Sequence, residues 1–333
     1  ARYIPVIRRA VVDYADSMQA GRDAVQFKAL GGDWARDEWF NLMRDKPYLS
    51  LKMLDQLGAL ELFLPHIARL NGVEQTVPHY EDVFHHTLSV LRYLPLVEDV
   101  VFGRERPDDG LTAELAELLA PYQTVLADHL QRRVSGDVRG GLLLRIAALY
   151  HDVGKAQTQT READGRIRFF KHDKVGAAIA SKRLSDFHLS REARQHVKKV
   201  VDGHMRPLLL SHEPSASSRA IFRFCRQYSA ATLDILLLAL ADHLATYDGR
   251  GELNDSWERL LAFEERTLAF YVERFLTVTE NEPLLTGCEV MDHLGIPGGP
   301  EIGRLLRLLK EAQAVGEVST RDEALLFVAQ QSG

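Results

Sequence analysis

The stretch that decides the fold is Leu142-Leu-Leu-Arg-Ile-Ala-Ala-Leu-Tyr-His-Asp-Val-Gly-Lys155. Its apolar first part is typical of a buried helix, which then ends in two adjacent ionisable side chains, His151 and Asp152. Burying such a pair without a partner is costly, and one divalent cation would satisfy both side chains. Imidazole and carboxylate together suit Mn, Fe, Co, Ni or Zn, and carboxylate suits Mg. An ordinary helix end capped by a histidine is the alternative interpretation of the pair.

Two residues that follow the pair favour a site for phosphate chemistry. We expect Gly154 to let the backbone turn tightly after Asp152, because glycine has no Cβ. Lys155 lies one helical turn beyond His151, where its ammonium group can meet a phosphate as a point charge. These neighbours favour the metal interpretation over the capping one.

Further candidate ligands recur at wide spacing along the chain. A lone histidine is more often an ordinary core or surface residue than a ligand, so each one alone is a weak signal. Asp242 is a stronger signal, because it interrupts an otherwise apolar helix and an unpaired buried carboxylate is costly. With the central pair, the candidates follow the order His, His-Asp, His, His, Asp: His86, His151, Asp152, His172, His204 and Asp242.

This order, with His-Asp-Val-Gly-Lys at its centre, resembles the HD superfamily of metal-dependent phosphohydrolases. The resemblance implies that His86, His151, Asp152 and Asp242 bind a metal. It also implies that His172 and His204 bind a second metal or the substrate phosphate, with Asp152 bridging two ions. His86 is preferred to His85 because neighbouring helical residues point about 100° apart and the family's ligand directly precedes a threonine. The other histidines that we weighed, which include His196 and His243, are interpreted as structural.

The flanking segments are similar to a narrower group, the bacterial CCA-adding tRNA nucleotidyltransferases and poly(A) polymerases. Residues 34–43 and 51–67 resemble its neck, residues 82–88 resemble the start of its HD domain, and three segments within 283–325 resemble its tail. The group's catalytic head has a Gly-Gly-x-x-Arg-Asp element followed by paired aspartates on a strand. Gly31 to Asp37 mimics the first element, but no Asp-x-Asp strand follows it here. Nucleotide addition by this chain alone is therefore not expected.

Helical periodicity dominates the chain. With the resemblance, it predicts an all-α fold: a multi-helical HD-domain bundle with flanking helical N- and C-terminal segments. Asp164-Gly165 predicts a small β-hairpin near residues 158–170, as the only β element. The predicted domains are a neck-like segment over 1–77, the HD domain over 78–250 and a tail-like segment over 251–333. Helices are predicted over residues 3–18, 34–43, 49–57, 81–94 (ended by Pro95), 111–127, 141–151, 175–184, 191–201, 217–224, 231–246, 255–275 and 301–315.

Composition limits the class of protein. The 333 residues are 46% hydrophobic and 26% charged, which is ordinary for a globular protein with a sizeable core. Two cysteines far apart in sequence favour a reduced, cytoplasmic setting without disulfides. No signal peptide is visible, and no membrane partner is expected, because the most apolar run (235–241) is far shorter than the ~20 residues of a membrane span. The net charge of −6 argues against a nucleic-acid coat but allows a local basic face.

Two functions from different classes follow, with a third possibility. The first is a phosphohydrolase with one or two divalent ions (Mg, Mn, Ni, Co, Fe or Zn) that acts on a nucleotide, a cyclic nucleotide or an RNA end. Asp152 and Lys155 are then the predicted catalytic residues, and Lys155, Arg206, His172 and His204 contact the phosphate. The alternative is a tRNA- or RNA-binding body of a CCA-adding-type enzyme, with Arg304, Arg307 and Lys310 on the tail helix near phosphate. A vestigial site that keeps metal only for structure is the third possibility.

Overall fold

A computed structural model describes residues 32–104, 110–212, 216–247, 255–280 and 283–332. The predicted helix over 3–18 and the predicted boundary at 248–254 lie outside these ranges. The described chain is predominantly helical, as predicted, with two small antiparallel ribbons. The helices are α1 (Gly32–Asp45), α2 (Pro47–Gln56), α3 (Leu60–Phe63), α4 (Pro65–Ala68), α5 (Val83–Val101), α6 (Gly110–Leu119), α7 (Gln123–Gln131), α8 (Gly140–Tyr150), α9 (Lys155–Thr158), α10 (His172–Asp186), α11 (Arg191–Gly203), α12 (Arg206–Ser211), α13 (Ser218–Tyr228), α14 (Ala231–Thr246), α15 (Asp255–Phe270), α16 (Leu276–Glu280), α17 (Gly287–Leu294), α18 (Pro300–Ala314) and α19 (Arg321–Gln331).

The predicted end of a helix at Pro95 is wrong, because α5 runs through Pro95 to Val101. A proline inside a helix removes one backbone hydrogen bond and costs about 3 kcal/mol or more. The turns beyond it bury Val97, Val100 and Val101 to 2% exposure or less. Burying an aliphatic side chain stabilises by about 1.5–3 kcal/mol, so three of them outweigh the proline.

The opposite error concerns Pro121. One continuous helix was predicted over 111–127, but the helix is interrupted at this proline. The chain instead forms α6, a 3₁₀ turn over Ala120–Tyr122 and then α7. Another interruption divides the predicted helix over 255–275, whose last five residues, Tyr271–Phe275, form a π-turn between α15 and α16. Apolar periodicity continues across both breaks, so it cannot reveal them.

The predicted hairpin is confirmed as β3 (Gln159–Arg161) paired with β4 (Ile167–Phe169). Gly165 has the positive φ of 83° that its turn requires. The prediction that this is the only β element is wrong, because β1 (Arg133–Ser135) pairs with β2 (Val138–Arg139). Strands of three and two residues are too short to show an alternating pattern.

The main core lies between α5, α8, α11 and α14, which pack on one another, while α10 covers α11. The two most apolar helices, α8 and α14, are buried on nearly every side. A smaller, separate core joins α17, α18 and α19 through Leu285, Val290, Leu305 and Val328. The frame of the molecule is thus a helical bundle with a small helical unit at its C-terminal end.

None of the described helices is long and apolar enough to cross a membrane alone. Helices α13 and α14 reach the required length and hydropathy only as a pair, and they are bent by 107° at the break between them.

Candidate metal centre

Six of the predicted site residues converge from five places in the bundle, and we call them the open cluster. His86 comes from the second turn of α5, and Asp242 from the last turns of α14. The other four stand at helix ends: His151 and Asp152 directly after α8, His172 at the start of α10, and His204 directly after α11. Ligand atoms of His86, His151 and Asp242 lie within 4.8 Å of one another, and so do those of Asp152, His172 and His204.

Gly154 lies between the two halves of the open cluster. The position requires glycine, but not for the tight turn that was predicted. Its backbone is ordinary right-handed helix, with φ −72°, so the tight turn does not require glycine. A Cβ at this position would instead lie 2.1 Å from the carbonyl oxygen of His172 and 2.7 Å from the amide nitrogen of Gly176. Glycine is therefore needed so that α10 can approach the segment that carries His151 and Asp152.

Backbone carbonyls fix the tautomer of three histidines. A carbonyl oxygen only accepts hydrogen bonds, so the Nδ1 atom that contacts it carries a proton, and Nε2 of the neutral ring is left with a bare lone pair. Burial lowers the pKa of His172 to about 4 and so keeps that ring neutral. The three Nδ1 contacts are 2.8 Å each: His151 to Ala148, His172 to Phe169, and His204 to Val201.

The bare Nε2 atoms face each other and the carboxylates. Nε2 of His172 lies 3.3 Å from Nε2 of His204, and the neutral His172 ring has no proton on that atom. Nε2 of His151 and Oδ1 of Asp152 are buried without a hydrogen-bond partner. A divalent cation accepts all of these lone pairs, and imidazole with carboxylate suits Mn, Fe, Co, Ni or Zn. The donor set therefore fits a metal.

Asp152 is placed between the two halves of the open cluster. Its Oδ2 atom lies 3.2 Å from Nε2 of His151, whereas its Oδ1 atom lies 3.4 Å from Nε2 of His172 and 3.6 Å from Nε2 of His204. Each oxygen of Asp152 therefore faces different histidines. Burial alone would raise the pKa of Asp152, but the charge of Lys155, the largest opposing cause, outweighs burial and helps to hold that pKa well below its ordinary value.

Lys155 supplies the positive charge closest to Asp152. Its Nζ atom lies 2.6 Å from Oδ2 of Asp152, donates to Oε1 of Gln75 at 2.7 Å, and stands 5.3 Å from the centre of the Phe169 ring. The side chain is only 8% exposed. Lys155 is thus a buried cation inside the open cluster.

The remaining half of the cluster reaches solvent. Nε2 of His86 lies 2.8 Å from Oδ1 of Asp242, and Nε2 of His151 lies 3.8 Å from the same atom. Burial opposes ionisation of Asp242, but the hydrogen bond and charge of His86 outweigh it, so the pKa of Asp242 is lowered. The Asp242 side chain is 24% exposed, whereas that of His86 is 2% exposed. A substrate would therefore approach from the Asp242 side.

Two residues lie away from the open cluster: His85, which was rejected as a ligand, and Arg206, which was predicted to contact phosphate. His85, the rejected neighbour of His86, is 54% exposed and contacts the N-cap Asp82 at 2.8 Å. Arg206 is exposed at the start of α12, and among the described residues the cluster's hydrogen bonds and ion pairs do not include it. The structure thus brings together six predicted ligands and Lys155, but not Arg206.

The sequence did not single out His79. Its ring meets the His86 ring edge to face, with 4.8 Å between ring centres, and its Nδ1 atom is buried without a partner. Burial, followed by the charge of Lys155, lowers the pKa of His79 to about 3. The sequence feature that could have indicated His79 is its position shortly before Asp82, the N-cap of the helix that carries His86.

A second group of the same residue types was also missed, and we call it the closed cluster. It consists of His129, His196 and Asp234, whose ligand atoms lie within 4.8 Å of one another. His196 was interpreted as structural, and neither His129 nor Asp234 was among the predicted ligands. Asp234 directly precedes the most apolar run (235–241), as Asp242 directly follows it, and that position was the available signal.

Comparison with known proteins agrees with this geometry. The model of the HD domain family matches residues 110–247, a range that contains every open-cluster residue except His86. The chain is 32% identical over 288 residues to a CC-adding tRNA nucleotidyltransferase of Thermus thermophilus, covering 86% of this chain and 54% of that protein. It is 32% identical over 326 residues to an A-adding tRNA nucleotidyltransferase of Deinococcus radiodurans, covering 97% and 63%. The chain thus spans between about half and two thirds of the length of these relatives. It contains a domain of the HD superfamily and is similar in sequence to the CCA-adding tRNA nucleotidyltransferase family.

Proposed function

We propose that this chain is a metal-dependent phosphohydrolase that acts on a nucleotide, a cyclic nucleotide or an RNA-end phosphoester. The observation that carries the proposal is that backbone carbonyls hold Nδ1 of His151, His172 and His204 and so direct the three Nε2 atoms around Asp152. Three imidazoles held in one tautomer by backbone carbonyls are preorganised for metal binding, as outer-shell hydrogen bonds are in metalloenzymes. A site built only for packing gains nothing from such facing lone pairs.

Two overlapping ligand sets follow from the distances. His86, His151, Asp152 and Asp242 would hold one ion, and Asp152, His172 and His204 would hold a second. A bound divalent ion supplies positive charge for a phosphoryl oxygen and lowers the pKa of water. The proposed task of Asp152 is to fix the spacing between the two sets.

Lys155 has a positioning task in this proposal. Its ammonium group at 2.6 Å from Asp152 keeps that carboxylate ionised and aimed at the histidines. It also adds positive charge beside the place that a phosphoryl group would occupy, where little water screens it. Arg206 contributes at most a contact at the rim, because it is exposed and outside the cluster.

The rim of the open cluster suits a substrate with an aromatic base. The hairpin packs on the loop before α5 through the side chain of Gln159, which donates to the backbone of Glu74 at 2.9 Å. Phe170, two residues before His172, is 64% exposed, and Val77 in the facing loop is 78% exposed. A base stacked on an aromatic side chain gains about 1–3 kcal/mol. This rim supports a nucleotide over a simple phosphate ester.

The test is hydrolysis of model phosphoesters and nucleotides, with Mn, Ni or Mg added in turn to the chelator-treated protein. Asp152→Asn should lose hydrolysis and the metal held by the open cluster, because it removes the carboxylate that both ligand sets share. His85→Ala is the matched control, since it removes an exposed histidine beside a ligand. If Asp152→Asn kept the metal and the activity of the unaltered protein, the proposal would be wrong.

A second candidate function, RNA binding, has its own observation. Helices α13 and α18 line a surface groove with four arginines: Arg223, Arg226, Arg304 and Arg307. Glu311 pairs with Arg223 at 2.7 Å, and Glu301 pairs with Arg304 at 2.6 Å. The ion pairs within the described ranges do not use Arg226 or Arg307. Such a groove fits a polyphosphate backbone, and the relatives are tRNA nucleotidyltransferases by name.

Salt dependence of tRNA binding tests this second function. Substituting both Arg226 and Arg307 by Gln should weaken binding and make its dependence on salt shallower, since fewer phosphates are neutralised. Arg133→Gln with Arg259→Gln removes the same charge from exposed positions elsewhere and should have little effect. Absence of binding at low salt would exclude this function. A cytoplasmic location suits both proposals, because Cys225 and Cys288 are free thiols.

A further inference from the structure

The closed cluster lies in the interior of the bundle. His129 comes from the last turn of α7, His196 from the middle of α11 and Asp234 from the first turn of α14. Nε2 of His129 lies 2.6 Å from Oδ2 of Asp234, and Nε2 of His196 lies 2.8 Å from the same oxygen. The two histidines are 8% exposed and the aspartate is 0% exposed.

This cluster is separate from the open cluster. Asp234 and Asp242 stand on the same helix, eight residues apart, which corresponds to about 12 Å along the helix axis. No residue is shared between the two clusters. Whatever binds at Asp234 therefore does not take part in the proposed hydrolysis.

The two oxygens of Asp234 differ in their partners. Oδ2 accepts from both histidines, but Oδ1 is buried without a hydrogen-bond partner. With two neutral imidazoles the group would bury one negative charge, and burying an unpaired charge costs several kcal/mol. The N-terminus of α14 offers only about half a positive charge. The orphan oxygen therefore points to a missing positive partner.

We propose that His129, His196 and Asp234 form a second divalent-cation site, of the zinc class, whose role is structural. Two imidazoles and both oxygens of Asp234 provide four donors, the number that structural zinc sites use. The described hydrogen bonds tie neither Nδ1 atom to a backbone carbonyl, so each ring proton can move from Nε2 to Nδ1 when the ion binds.

The site would hold three helices together at once. His129 is 105 residues from Asp234 in sequence, and His196 is 38 residues from it. Two of these helices, α11 and α14, also position His204 and Asp242 of the open cluster. An ion in the closed cluster would therefore stabilise the frame on which the open cluster is built.

The experiment first disables the open cluster through His151→Ala together with Asp152→Asn, which leaves only two ligands in each of its halves. Only the closed cluster can then retain an ion. This double variant is treated with chelator, reloaded with Zn²⁺ or Co²⁺, desalted and analysed for metal content and for the visible spectrum of Co²⁺. We expect about one equivalent of ion and a spectrum of low coordination number. Adding Asp234→Asn, which keeps the shape and an acceptor oxygen, should abolish both signals. Adding Asp128→Asn, an exposed acid beside His129, should leave both unchanged.

Zinc X-ray absorption of the double variant gives a measurement that needs no substitution in the closed cluster. Two imidazoles with oxygen ligands are expected, together with a melting temperature that chelator lowers. The proposal is overturned if the folded double variant retains no ion after reloading, because hydrogen bonds alone then hold the closed cluster. It is also overturned if three imidazoles or a sulfur ligand are found.

Discussion

The open and closed clusters contain the same residue types, yet they differ in tautomer and in access. In the open cluster, carbonyls hold Nδ1 of His151, His172 and His204, and Asp242 is 24% exposed. In the closed cluster the Nε2 atoms point at one oxygen of Asp234, which is 0% exposed. Catalytic metal sites leave room for substrate, whereas structural sites are closed. Histidines and aspartates alone thus do not determine function; their outer partners and their access to solvent do.

The largest expected effect is a difference in the free energy of unfolding between a variant of the closed cluster and a variant of the open cluster. Asp234→Ala leaves two buried imidazoles without their acceptor, and breaking a buried pair costs about 3–5 kcal/mol. Asp242→Ala should cost clearly less, because its carboxylate is partly solvated. Guanidinium unfolding of both variants, followed by circular dichroism, measures the difference. Equal losses would mean that burial does not distinguish the two clusters.

A smaller effect concerns the cation that only the open cluster contains. Lys155→Met removes the charge at 2.6 Å from Asp152, and a charged hydrogen bond contributes about 1.5–3 kcal/mol. We expect kcat/KM for a phosphoester to fall about 10–100-fold while the closed cluster keeps its ion. Lys174→Met, which removes an exposed lysine paired with Asp202, is the control. An unchanged kcat/KM would remove Lys155 from the proposed mechanism.

The last effect, the smallest over a single pH unit, uses Glu264, a buried carboxyl group that neither a histidine nor a cation contacts within the described ranges. Both of its oxygens are buried without a partner, and burial raises its pKa well above the ordinary 4.5. Above pH 4.5 the unfolded chain releases this proton while the folded chain keeps it, so stability falls as pH rises, by about 1.4 kcal/mol per pH unit up to the folded-state pKa. Glu264→Gln should remove that slope, so the variant becomes more stable relative to the unaltered protein as pH rises above 4.5.

Thermal unfolding at several pH values measures this slope. Glu265→Gln, at the exposed neighbouring position, should leave the pH dependence as it is. A Glu264→Gln variant that kept the slope would show that another group binds the proton. Glu264 could then no longer be contrasted, as a carboxyl group without a partner, with Asp234 and Asp242.

The prediction from sequence succeeded where the signal is local or is carried by a motif. Apolar periodicity was enough for the helical class, and Asp164-Gly165 was enough for the hairpin. The HD superfamily followed from the resemblance that the ordered series of histidines and aspartates carries. It failed where packing overrides a local signal. Pro95 lies within a helix because the next turns are buried, whereas Pro121 ends one.

The sequence by itself determined which residue types were available: an ordered series of histidines and aspartates on apolar helices, with Lys155 beside the central pair. Only the tertiary structure decided which of them meet. Gly154 admits α10 to the open cluster, and α7, α11 and α14 bring together His129, His196 and Asp234 from distant parts of the chain. The reason is physical: the distance between two ligands depends on how the helices pack, and the tautomer of an imidazole depends on the carbonyl that packing places beside it.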